Sequence, residues 1–287
     1  MKLMIKIAVI MLGLVGLITF FLRDTLFEER PTAATSTAAA AGELQQVASL
    51  PNEVEESSGL IVLPDGNYLT HNDAGNKPHL YQLDAQGKLQ ATFKLNLPNV
   101  DWEDLAKDDE GNIYIADSGN NNNSRRELAV YKVNLAQPEQ VQAIRYTYED
   151  QKEYPPKKKD RNFDSEAIFW SDGSLYLISK DRGQGATAKV YQLPDQPGTH
   201  QAKVVGSHQL KAEITGAAIS PNGKMVALVS ESALHLFSDF SSADKFYEGT
   251  YEKRQLKNAG QTEALDFMND EELVITSEGG NLYRYTL

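Results

Sequence analysis

The sequence has no cysteine among its 287 residues, which excludes disulfide bridges, thiolate nucleophiles and cysteine metal sites together. Positive charge is scarce too. Lys and Arg number 28 against 40 Asp and Glu, giving a net charge of −12 and a pI near 4.9. Nucleic acid is therefore not an expected partner, because a phosphate backbone needs clustered cations; an acidic surface suits a cation instead. No Gly-x-Ser-x-Gly elbow, phosphate-binding glycine loop or His-Glu-x-x-His occurs. The five histidines do not support a Ser–His pair. Beyond residue 24 no stretch has helical periodicity, and short aromatic and β-branched runs are cut by Gly, Asn, Asp and Pro. That pattern predicts an all-β chain.

The one long apolar run, Ile7 to Leu22, follows Lys2 and Lys6 and ends at Arg23-Asp24. With Leu3-Met4-Ile5 and a snorkelling Lys6 it reaches the length of a membrane span, and no small-x-small cleavage site follows it directly. Residues 1–24 read as a signal anchor and residues 25–42 as a flexible Thr/Ala-rich linker. Residues 43–287 read as one domain. The basic end stays in the cytoplasm, so the inner membrane is the first expected partner and the domain faces the periplasm. Cleavage within Ala38 to Gly42 would release a secreted form instead.

A strand-turn-strand unit recurs through this domain. Val100-Asp101-Trp102-Glu103-Asp104-Leu105-Ala106 leads through the turn at Asp108 to Asn112 into Ile113-Tyr114-Ile115-Ala116-Asp117. Aligned on that pattern, Ser58, Glu103, Glu166, Gly216 and Glu263 become equivalent, at steps of 45, 63, 50 and 47 residues. Such periods, with about four short strands each, predict a β-propeller. Five blades of four antiparallel strands account for the chain better than six, because the last blade has only three strands after Glu263. Leu44 to Leu50 would supply its outer strand and close the ring.

In a propeller the loops entering the inner strands and those leaving the second strands open on one face. The first set carries Glu56, Asp101 with Glu103, Asp164 with Glu166, and Glu263; the second carries His71-Asn72-Asp73, Asp117, Lys180, Arg182 and Glu278. Crowded carboxylates either raise one another's pKa or bind a cation. The oxygen-only inventory suits Ca²⁺ better than zinc, with Glu103, Glu166, Glu263, Asp101, Asp164 and Asp73 as candidate ligands. The alternative is that these carboxylates stitch the ring by bonding backbone N–H groups of the next blade or pairing with Lys180 and Arg182. Asp117, Arg125, Lys180, Arg182, Glu278 and His71 are candidate contacts for an anionic ligand or a protein partner. Two long loops, Gly119 to Glu127 and Asp150 to Phe163, would flank this mouth with Arg125, Arg126 and Lys157-Lys158-Lys159.

Ser58-Gly59-Leu60, Asp101-Trp102-Glu103-Asp104-Leu105, Asp164-Ser165-Glu166-Ala167, Ile214-Thr215-Gly216-Ala217-Ala218 and Gln261-Thr262-Glu263-Ala264-Leu265 resemble the inner strands of bacterial exported propellers of the SdiA-regulated and phytase-like esterase families. His71-Asn72-Asp73-Ala74-Gly75-Asn76 and Asp117-Ser118-Gly119-Asn120-Asn121 share the likeness. The resemblance implies a calcium-associated propeller and, for its phytase-like branch, a phosphate-ester hydrolase. Three readings follow: a tethered propeller binding a ligand or partner at a Ca²⁺-loaded mouth, a metal-assisted hydrolase of an anionic ester, and a structural scaffold. In the hydrolase, Glu103, Glu166 and Glu263 would hold the ion while Lys180, Arg182 and Arg125 hold the substrate anion. Gly216, aligned where the other blades carry Glu or Ser, departs from the pattern.

Overall fold

The computed structural model describes residues 42–287, and the anchor and most of the linker expected from the sequence lie outside that range. Among the described residues no helix is long and apolar enough to cross a membrane. Twenty strands form five four-stranded antiparallel units, with β1 (Leu44–Ser49) belonging to the last. Blade one comprises β2 (Ser57–Val62), β3 (Tyr68–Asn72), β4 (His79–Leu83) and β5 (Leu89–Lys94). Blade two comprises β6 (Trp102–Lys107), β7 (Asn112–Asp117), β8 (Leu128–Asn134) and β9 (Gln142–Tyr148). Blade three runs β10 (Ser165–Ser171), β11 (Ser174–Ser179), β12 (Thr187–Pro194) and β13 (Gly198–Gln209). Blade four runs β14 (Ile214–Ile219), β15 (Met225–Ser230), β16 (Ala233–Ser238) and β17 (Thr250–Gln255), and blade five β18 (Thr262–Asn269), β19 (Glu272–Ser277) and β20 (Asn281–Thr286).

The five inner strands touch in cyclic order, β2 to β6 to β10 to β14 to β18 and back to β2. Their residues are buried nearly throughout, as strands covered on both faces require, whereas outer β5 alternates half-buried and exposed positions. Five apolar clusters fill the gaps between neighbouring blades, one per gap. Tyr114, Ile144, Ile168 and Tyr191, for example, join blades two and three. β1 pairs antiparallel with β20, with Leu44 opposite Tyr285 and Ser49 opposite Asn281. The first strand thus covers the edge that the last would leave open.

One feature departs from the simple repeat. β13 is 12 residues long; its second half pairs with β12, and Gly198 to Ala202 pair in parallel with Ile144 to Tyr148 of β9. Blades two and three are therefore one continuous eight-stranded sheet, and the outer edge of blade two is capped.

The inner strands share a bulge. Register slips between Ser57 and Gly59, Trp102 and Leu105, Ser165 and Ala167, Ile214 and Gly216, and Thr262 and Ala264. The unpaired residues are Ser58, Glu103 with Asp104, Glu166, Thr215 and Glu263. This corrects the equivalence read from the sequence for blade four, where Thr215 takes the position assigned to Gly216. The alignment on apolar runs is off by one because a bulge residue has no partner across the strand.

Candidate functional site

A bulge frees one residue of each inner strand, and two in β6, from the ladder and re-aims the side chain. Where that residue is a hydroxyl it links blades: Ser58 Oγ donates to the Glu103 carbonyl at 2.7 Å, and Thr215 Oγ1 to the Thr262 carbonyl at 2.9 Å. Where it is Glu103 or Glu166 it enters a cluster. Oxygens of Glu103, Asp164 and Glu166 lie within 4.8 Å of one another, all three residues being buried, and Glu103 also belongs to a second triad with half-buried Asp101 and exposed Asp73. Five of the six expected metal ligands are thus brought together. Glu263 belongs to neither triad; its carboxyl is pushed up to about 7 by partial burial, opposed by Lys180 and reinforced by Glu278.

Backbone bonds hold the two halves of each mouth segment. The N–H groups of Asp73, Gly119, Lys180 and Glu278, just past the second strands, donate to the carbonyls of Glu56, Asp101, Asp164 and Gln261, just before the inner strands. Asp117 fixes the same corner in blade two: its carboxylate accepts the Asp101 N–H at 3.2 Å and Arg125 Nη2 at 2.8 Å. Gly119 packs directly on this cluster. A Cβ there would collide with the carboxylates of both Glu103 and Asp101.

The positive groups are engaged with the cluster. Lys180 Nζ contacts Glu166 Oε2 at 2.5 Å, and Arg182 Nε contacts Asp164 Oδ2 at 2.5 Å while its Nη2 bonds Glu166 and Asn121. Arg125 is turned to Asp117 and the Gly119 carbonyl, Arg126 lies over the Tyr154 ring at 4.8 Å, and Glu278 is exposed at the rim. His71 is fully buried, edge-on to Trp102, with Nδ1 donating to the Asn72 carbonyl; burial pushes its pKa down to about 4, so it is neutral.

Glu103 is the exception in this network. It is 7 % exposed, and among the described residues its carboxylate has neither a hydrogen-bond nor an ion-pair partner. Burial, with the charges of Glu166 and Asp164 beside it, holds its pKa well above the usual carboxylate range. Burial and the Asp164 charge, opposed by Lys180 and Arg182, push Glu166 up to about 8, and partial burial with Asp73 and Asp164 nearby pushes Asp101 up to about 6. A divalent ion would relieve this crowding. The donor set, carboxylate oxygens without nitrogen or sulfur, fits Ca²⁺.

Several residues that matter here carried no assignment in the sequence. Asp104 is fully buried and accepts the N–H groups of Ile168 at 3.0 Å, Ala217 at 3.2 Å and Leu105 at 2.8 Å, so one carboxylate ties three blades. Asp266 accepts the Val62 N–H at 2.7 Å and pairs with Lys107. Asn120 donates its N–H to Asp164 Oδ1 at 2.5 Å, and Asn123 Oδ1 accepts the Phe163 N–H at 2.9 Å; part of the asparagine run therefore joins the two long loops.

No protein-family model and no curated protein matches the chain. Solved structures do resemble it. A gluconolactonase from Xanthomonas campestris superposes with a TM-score of 0.51 at 12% identity, over 85% of this chain and 89% of that one. The PQQ-bound aldose sugar dehydrogenase of Streptomyces coelicolor gives 0.49 at 13% identity, over 87% and 100%. The β-propeller domain of Cps50 (Swd1) from Myceliophteria thermophila gives 0.46 at 10%, over 85% and 100%. The cyclic order of the four-stranded units, together with the likeness to the gluconolactonase, defines the fold class as a β-propeller.

Proposed function

We propose that this propeller holds Ca²⁺ in the acidic mouth of its channel and uses the loaded mouth to bind an anionic ligand or a protein partner outside the cytoplasm, tethered to the membrane through residues 1–24. The observation that carries the reading is the buried Glu103 carboxylate, which belongs to two acidic triads and has no partner among the described residues. Lys180 and Arg182 offset only part of the negative charge of Asp73, Asp101, Glu103, Asp164 and Glu166. A divalent ion held by Glu103, Asp101 and Asp164 would offset the rest. Lys180 and Arg182 would then be released in part from Glu166 to meet an anion. The resemblance of the inner-strand motifs to the SdiA-regulated and phytase-like propellers supports the same assignment.

A melting experiment tests it. Ligand at about a hundred times its dissociation constant adds roughly 2.7 kcal/mol to folded-state stability, so Ca²⁺ should raise the melting point of the chelated chain visibly. Mg²⁺ should do less, because it demands a tighter octahedral shell and holds its waters. Identical curves in Ca²⁺ and EDTA would reject the ion.

The exposed Asp73 side of the second triad favours a further reading, metal-assisted hydrolysis of an anionic ester, since it leaves one flank of the ion open to water. A bound ion would polarise a phosphoryl or carbonyl oxygen and activate water there. Turnover of p-nitrophenyl phosphate or p-nitrophenyl acetate that requires Ca²⁺ and is lost in Glu103→Gln would establish it; no turnover with Ca²⁺ bound would leave the binding function alone.

A further inference from the structure

The channel also opens on the face opposite the acidic mouth. There the second halves of all five inner strands and the hairpin turns that follow four of them surround a cavity of about 1310 Å³, large enough for a small organic ligand. Asp104, between Glu103 at the mouth and Leu105 in the cavity wall, ties blades two, three and four and separates the two ends.

The wall is apolar and aromatic, with Phe93, Trp170, Ile219 and Met268 among its residues. Trp170 is half-buried, and its indole N–H is already committed to Asp195 at 2.8 Å, so it offers a ring face and no donor. Among the described residues Lys107 is the one cation of the lining, and its charge is matched by Asp266. Asp65, Asp109 and Asp172 stand at the rim, and none of them has an ion-pair partner among the described residues. The cavity is thus an apolar bowl with a net negative rim.

We infer that this cavity binds a small amphipathic cation, an apolar or aromatic body carrying a protonated or quaternary amine. The apolar wall takes the body. The rim carboxylates, with the Trp170 ring, take the positive charge, which aromatic faces also attract. An anion of the same shape would face three uncompensated carboxylates.

The chain has two tryptophans, and Trp102 is fully buried, so Trp170 fluorescence reports the cavity. Benzyltrimethylammonium, benzyl alcohol and phenylacetate form a cation, neutral and anion series on one ring. The cation should quench saturably, at least about tenfold more tightly than the other two. Trp170→Phe should remove the signal, and the double change Asp109→Asn with Asp172→Asn should weaken binding about fivefold or more. Absence of saturable quenching, or equal binding of all three probes, overturns the proposal. So does quenching that survives Trp170→Phe, or that Glu103→Gln weakens as much as the rim changes do, because the probe would then be at the mouth.

Discussion

Glu103 and Glu166 occupy the same bulge position in adjacent inner strands, and their carboxylate oxygens, with one from Asp164, lie within 4.8 Å of one another. Glu166 has Lys180 and Arg182 as partners. Glu103 has none among the described residues, although it is the more central of the two, shared by both triads. Two buried carboxylates at this separation repel unless a proton or a cation lies between them.

Replacing Glu103 by Gln separates a structural role from a metal-binding one, because the amide keeps the shape and loses the charge. At pH 8 in EDTA the variant should melt higher than the parent by ~2–4 °C, the shift of roughly 1 kcal/mol in a chain of this size. In Ca²⁺ the order should reverse. If Glu103 stitched the ring, Glu103→Gln would melt lower in both conditions.

The chelated chain should lose stability as pH rises. Glu166 titrates at about 8 when folded against 4.5 otherwise, and Asp101 at about 6 against 3.8. A carboxyl whose folded value is raised favours the fold while protonated; that contribution is complete below the unfolded value and lost as pH climbs through the folded one. The melting point in EDTA should therefore fall between about pH 4.5 and 8. A buried group contributes about 1.4 kcal/mol for each pH unit between its two values, and half-exposed Asp101 less. Ca²⁺ should flatten the slope, since the ion replaces the proton. A flat melting profile in EDTA would contradict the crowding.

Gly119→Ala should abolish most of the Ca²⁺ gain. The added Cβ meets the Asp101 and Glu103 carboxylates and must push them apart. Gly119 has no positive φ, so alanine adds no backbone strain and the chain should still fold with its circular dichroism unchanged. Retention of the full Ca²⁺ shift in this variant would place the ion elsewhere.

Deleting residues 43–50 should lower the melting point sharply. The deletion exposes β20 and removes Leu50 from the core between blades five and one; loss of such a side chain alone costs about 2–5 kcal/mol. An unchanged melting curve would contradict closure by β1.

Much of the fold was legible because propeller strands announce themselves by turns and by period, and closure followed from a blade one strand short. The bulges were not legible. A residue without a cross-strand partner leaves no mark in hydrophobic alternation, so Gly216 was aligned where Thr215 belongs, and the separate roles of Glu103 and Asp104, adjacent in one bulge, could not be told apart. The parallel pairing of β13 with β9 is equally silent, since it joins segments of different blades. The acidic mouth was legible as a set because each member sits at a strand end. The orientation of Arg125 toward Asp117, and the burial of His71 beside Gly59 and Trp102, depend on packing that no short motif encodes.

Calcium binding by the chain itself is the most direct test. Calorimetric titration of the chelated full-length chain with Ca²⁺ should give saturable binding with proton release, and Glu103→Gln should weaken it by at least about tenfold. Heat indistinguishable from dilution, or equal binding by parent and Glu103→Gln, would contradict a Ca²⁺ site centred on Glu103.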